Sequence, residues 1–149
     1  MRLEKKVLMI RNIHRWSSDR MGCDLCVLTP AEDGKYDIGW AYSTFNMIRG
    51  ALVQTALDLE EDVFSKTPDA KSTWEDISAK LKQYGYDGLN VLWNHSDCDR
   101  DYSTEDATMI AKEIEEILPY VDKDISNMVE ALYDMFKYAS ENDGIVMVW

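Results

Sequence analysis

Apolar residues recur along this chain with two periods, and the changes between them mark out its elements. Leu3, Val7, Ile10, Ile13 and Trp16 fit a helical stripe, whereas Val7-Leu8-Met9-Ile10 alone fits a strand. The strand is preferred for residues 3–16, because Met21 to Leu28 offers it a pairing partner. Pro30 ends that second run, since proline lacks the donor a ladder needs. Asp33-Gly34 marks a turn before a strand from Tyr36 to Trp40.

The helical period then takes over. Ser43 is placed to cap a helix whose buried stripe is Phe45, Ile48, Leu52, Ala56 and Leu59, ending in Glu60-Glu61-Asp62. Residues 63–71, with Lys66-Thr67-Pro68-Asp69, read as a surface loop. Ser72 and Glu75 form a capping box for an element with the stripe Trp74, Ile77, Leu81 and Tyr84. Gly85 and Gly88 bracket its exit into Leu89-Asn90-Val91-Leu92-Trp93, whose β-branched and aromatic content predicts an inner strand. Ser103, answered by Asp106 three residues on, opens another helix with the stripe Ile110, Ile114 and Ile117. Pro119 should stop it near Leu118. Asp124 or Ser126 starts a last helix, with Ile125, Met128, Leu132, Met135 or Phe136, and Ala139 facing inward. Asn142-Asp143-Gly144 turns the chain into Ile145 to Trp149, an apolar run best placed as an inner or covered strand.

These elements sum to one α+β domain over residues 1–149, a small sheet of three to five strands packed against four helices. The helices come in clusters instead of alternating with strands, which disfavours a doubly wound sheet. At 149 residues, 46% hydrophobic and 30% charged, the chain has the profile of a globular domain with a core of its own. Nothing approaches the roughly 18–20 continuous apolar residues of a membrane helix. The first residues, broken by charge, do not read as a signal peptide, and the three cysteines fit free thiols. A cytoplasmic protein is expected, with no membrane partner.

Charge changes the picture more. The net charge is −12, and residues 101–149 hold 12 Asp and Glu against 3 Lys. Such a surface opposes direct nucleic-acid binding, which needs a basic footprint. It permits a partner protein with a basic surface, and the competing account is that acidic helix faces simply keep a small protein soluble. Glu105, Glu113, Glu116, Glu130 and Asp134 avoid the apolar stripes and are expected on exposed helix faces.

The candidate chemistry lies between Trp93 and Ser103. Asp97, Asp99 and Asp101 alternate as in a calcium loop, but Tyr102 and Thr108 stand where an EF-hand needs Gly and Glu. Cys23, Cys26, His95 and Cys98 can be written as a zinc set. On a strand, however, residues three apart face opposite sides, so Cys23 and Cys26 do not converge. No metal or other cofactor is therefore expected. His95 with Asp97 or Asp99 could act as a base and its orienting carboxylate, but Cys98 is too near along the chain for an ordinary Cys–His pair. The competing account is a structural polar cluster in which Arg49 pairs with Asp97 or Asp99.

Two phrases, Trp40 to Arg49 and Leu92 to Asp99, resemble a family of small uncharacterised bacterial and phage proteins. Those carry a Tyr-Ser-x-Phe-x-x-x-Arg segment and a later His-Ser-Asp-Cys-Asp-Gly segment. The first falls on Tyr42, Ser43, Phe45 and Arg49, the second on His95, Ser96, Asp97, Cys98 and Asp99; Arg100 replaces the glycine. The resemblance implies a binding site at Tyr42, Ser43, Arg49 and His95 to Asp99, and no particular reaction. The expected function is an acidic, non-enzymatic binding or inhibitor protein, of the immunity type or the anti-defence type of mobile elements. The alternative is a small hydrolase or metal-dependent enzyme using His95, Asp97 and Asp99 with Arg49.

Overall fold

The computed structural model describes residues 22–30, 33–61, 74–94 and 101–148. The expected strand within residues 3–16, Ser72 of the expected capping box, the loop His95 to Arg100 and Trp149 lie outside the described residues. So do the side chains of Cys23 and Tyr42.

Three antiparallel strands form the sheet: β1 (Gly22–Leu28), β2 (Asp33–Ala41) and β3 (Ile145–Val148), in the order β2-β1-β3. β1 pairs Leu25 with Ile38 of β2 and with Val148 of β3. Its run Leu25 to Leu28 is buried throughout because both faces are covered. Leu25 and Val27 enter the main core with Val146 and Val148, while Cys26, Leu28 and Met147 form a smaller cluster on the opposite face. This explains why β3 is uniformly apolar. β3 is an edge of the described sheet, not an inner strand, but its outer side is partly occupied. The Tyr102 amide donates to the Val146 carbonyl at 2.8 Å, and the Val146 amide donates back at 3.1 Å.

Five α-helices are described: α1 (Tyr42–Glu61), α2 (Trp74–Gln83), α3 (Asp87–Asn94), α4 (Thr104–Ile117) and α5 (Ser126–Glu141). α1 follows β2 without a linker, so Ser43 sits exposed in its first turn and not ahead of it. α2 ends as a Schellman cap. Gly85 adopts φ +82°, and the Tyr86 amide reaches the Leu81 carbonyl at 2.8 Å. Ser103 caps α4, its hydroxyl accepting from the Asp106 amide at 3.1 Å. Ile110, Ile114 and Ile117 are buried as their spacing requires, and Pro119 turns the chain through a 3-10 segment, Leu118–Tyr120. Ser126 is the first residue of α5, and Asn142-Asp143-Gly144 leads from that helix into β3.

One expected element is overturned. Leu89 to Trp93 is not a strand; it is the body of α3, which raises the helix count from four to five. Five apolar residues are too few for periodicity to separate the two states. Tyr86, Leu89 and Leu92, three residues apart, are all buried, which is helical spacing. What decides the matter is the surroundings of α3.

Candidate functional site

An eight-residue helix is marginal by itself. α3 carries four amides at one end and four carbonyls at the other without partners inside the helix. Each end is met by a buried charged side chain from a neighbouring helix. Glu113 of α4 lies at the N-terminal end, where its Oε2 accepts from the Gly88 amide at 2.7 Å and its Oε1 from the Leu89 amide at 3.0 Å. Arg49 of α1 lies at the C-terminal end, its Nη1 donating to the Leu92 carbonyl at 3.2 Å. These signs complement the helix dipole, negative charge at the amide end and positive at the carbonyl end. Arg49 and Glu113 are the two buried charged residues among the described residues, at 2% and 9% exposure.

The Arg49 guanidinium also donates to the Asn46 side chain and lies 4.5 Å from the centre of the Phe45 ring. Its orientation follows from α1, where residues 45 and 49 share a face one turn apart. Gly88 makes the other end possible. A Cβ there would lie 2.5 Å from Glu113 Oε2, 2.6 Å from the Met109 carbonyl carbon and 2.7 Å from the Ile110 nitrogen. Only glycine lets α3 approach α4 closely enough for the carboxylate to reach both amides.

The electrostatics at this end run against the buried charge. Burial pushes the Glu113 carboxyl above the usual carboxylate range; the two amide bonds oppose that, and Asp87 and Glu116 add to the rise. Tyr86 donates its hydroxyl hydrogen to Glu60 Oε1 at 2.9 Å. Its phenol is pushed up to about 12 by burial, by that bond and by the charges of Glu60, Glu116 and Glu113.

The outer side of α3 is knitted to α2. Trp74 and Trp93 stack with ring centres 4.0 Å apart and planes at 18°. The Trp74 indole donates to Asn94 at 2.8 Å, and Asn94 donates to Ser78 at 3.0 Å and to Asn90 Oδ1 at 2.8 Å.

Of the residues expected to form a site, Arg49 is buried against the last turn of α3, Ser43 is exposed at the start of α1, and Tyr42 is placed by its backbone alone. His95, Ser96, Asp97, Cys98 and Asp99, and with them the expected Arg49 pairing, lie outside the described residues. Among the described residues no three His, Cys, Asp or Glu side chains are grouped as a metal ion would need.

The expected acidic face needs one correction. Glu105, Glu116, Glu130 and Asp134 are exposed, but Glu113 is buried. It stands three residues after Ile110 and one before Ile114, inside the apolar stripe, and it remains there because two amides satisfy it. A carboxylate at a stripe position was the signal for it. Gly88 and Leu89, whose amides it accepts, were not legible as its neighbours. Around it, residues 101–148 still present nine exposed carboxylates against three exposed lysines.

Compared with protein-family models, curated proteins and solved structures, the chain finds no match.

Proposed function

We propose that this chain is a non-enzymatic binding protein, an inhibitor of the immunity or anti-defence type, that offers its acidic α4 and α5 surface to a basic protein partner. The observation that carries the reading is the excess of exposed carboxylates on these paired helices. On α5, Glu130, Asp134, Lys137 and Glu141 recur at offsets of four, three and four and are all exposed. On α4, Glu105, Lys112, Glu115 and Glu116 are exposed. Such a field speeds encounter with a basic surface and sets which partners are repelled.

The test is affinity capture from the host with the wild-type chain and with a Glu116→Lys, Glu130→Lys, Asp134→Lys variant, followed by association kinetics with the captured partner. Raised salt and the three reversals should both slow association more than they speed dissociation. The fold should lose about half a kcal/mol or less per substitution, as for other exposed changes. A partner that binds equally well at every salt concentration and ignores the reversals overturns the reading.

The second reading, a small hydrolase or metal-dependent enzyme using His95, Asp97 and Asp99 with Arg49 as an anion-binding group, draws support from Arg49. That side chain is held in the interior at the turn of α3 that leads to His95. A phosphodiesterase and nucleotide screen separates the two. Turnover lost in His95→Ala favours the enzyme.

A further inference from the structure

The outer side of the α2–α3 pair carries a tryptophan that is held still and left half open. Trp74 is 47% exposed, although one face of its ring lies on Trp93 at 4.0 Å. Its indole N–H is committed to Asn94 Oδ1 at 2.8 Å. Asn94 is fixed in turn, its amide donating to Ser78 Oγ at 3.0 Å and to Asn90 Oδ1 at 2.8 Å. The Trp93 indole donates back to the Trp74 carbonyl at 3.3 Å. What remains open is the second face of the Trp74 ring and its edge, presented in one orientation.

These bonds say which ligand suits that face. With its N–H spent, the ring has no donor to offer, and recognition is left to the π surface. That surface is electron-rich, and giving the N–H to an amide oxygen enriches it further. It attracts cations, more strongly than the ring of Tyr or Phe does. Glu75 and Asp76, the next two residues of α2, are acidic and exposed, and the whole chain carries −12. The field around the ring therefore has the same preference and opposes an anionic ligand such as a nucleotide. Of the two long cationic side chains, arginine fits better. Its flat, weakly hydrated guanidinium lies parallel on an aromatic face and keeps its in-plane N–H groups for a carboxylate at the rim.

We propose that Trp74 is a docking point for an arginine side chain of a partner protein, with the Glu75 carboxylate at its rim. Because the ring is already fixed by Trp93 and Asn94, binding orders little more of it, and this favours affinity. Arginine and tryptophan are also the side chains that most often anchor protein interfaces. The docking point lies on α2 and is separate from the acidic surface of α4 and α5.

The experiment is an NMR titration of the full chain with N-acetyl-arginine methylamide at about 0.15 M salt, where distant charges are screened. The Trp74 ring signals should shift saturably, and saturation of those rings should transfer to the δ-methylene of the probe. The citrulline analogue, almost the same shape without the charge, should bind about two- to fivefold more weakly, the size of an exposed cation–π contact. In Trp74→Leu the transfer should be lost. Glu75 is exposed, so Glu75→Lys should keep the fold and weaken the arginine probe by at least about twofold. Both that variant and the comparison with citrulline decide the matter even if Trp74→Leu fails to fold. The Glu116→Lys, Glu130→Lys, Asp134→Lys chain should keep the response, which separates this docking point from the α4 and α5 surface. Citrulline binding as well as arginine, a response that survives Trp74→Leu, or one that vanishes with the three reversals would each overturn the proposal. So would tighter binding of cytidine or maltose, which would make the ring a platform for a base or a sugar.

Discussion

Two short apolar runs of this protein, Leu89 to Trp93 and Ile145 to Val148, are alike in length and both follow a glycine closely, yet one is helix and the other strand. The difference lies in where their backbone groups find partners. Val146 has the Tyr102 backbone on one side and β1 on the other, so its run completes a ladder. Among the described residues Leu89 has no strand beside it. Its amide instead meets the Glu113 carboxylate, and the Leu92 carbonyl three residues on meets the Arg49 guanidinium. An apolar run takes the state whose polar backbone its neighbours can satisfy.

The largest effect should come from removing the strand. A chain ending at Gly144 loses Val146, Met147 and Val148, each fully buried. At about 1.5–3 kcal/mol apiece this approaches the stability of a whole domain, and thermal unfolding should show no cooperative transition. A truncated chain that melts like the full one would show that the strand run is dispensable and the comparison mistaken.

Next is the helix at its amide end. Gly88→Ala drives a methyl group into the Met109 and Ile110 backbone and should cost about 3 kcal/mol in denaturant unfolding, the upper part of the usual overpacking range. At the carbonyl end, Arg49→Met keeps much of the apolar bulk but removes the donor to Leu92 and should cost about 2 kcal/mol. If both changes were neutral while α3 stayed helical by NMR, its two charged contacts would not be what decides its state.

The smallest change should go the other way. Gly50 lies within α1 (Tyr42–Glu61), and a Cβ there meets nothing within 4 Å. Gly50→Ala should therefore stabilise the protein by about 1 kcal/mol, by helix propensity alone. The opposite signs expected at Gly50 and Gly88 separate a glycine that is merely tolerated from one that a close helix approach requires. An unfolding midpoint that falls in Gly50→Ala would blur that distinction.

Wherever one local rule acted over enough residues, the sequence by itself determined the outcome. The Ser103 cap, the Ile110, Ile114 and Ile117 stripe, the stop at Pro119, the turn at Asn142 to Gly144 and the α+β class all follow from spacing and turn chemistry. So does the exposure of Glu105, Glu116, Glu130 and Asp134. Of the candidate site, Arg49 could be singled out in the sequence, but its burial and its bond to Leu92 could not, because they join residues 43 positions apart.

Tertiary structure decided the rest. Leu89 to Trp93 is too short for its own period to choose a state. Glu113 stands at a position of the apolar stripe, but nothing local says that two amides of α3 wait for it there. The physical reason is common to both. A buried charge and a short helix are each costly alone, and each becomes stable by supplying what the other lacks, acceptors for the helix amides and donors for the carboxylate.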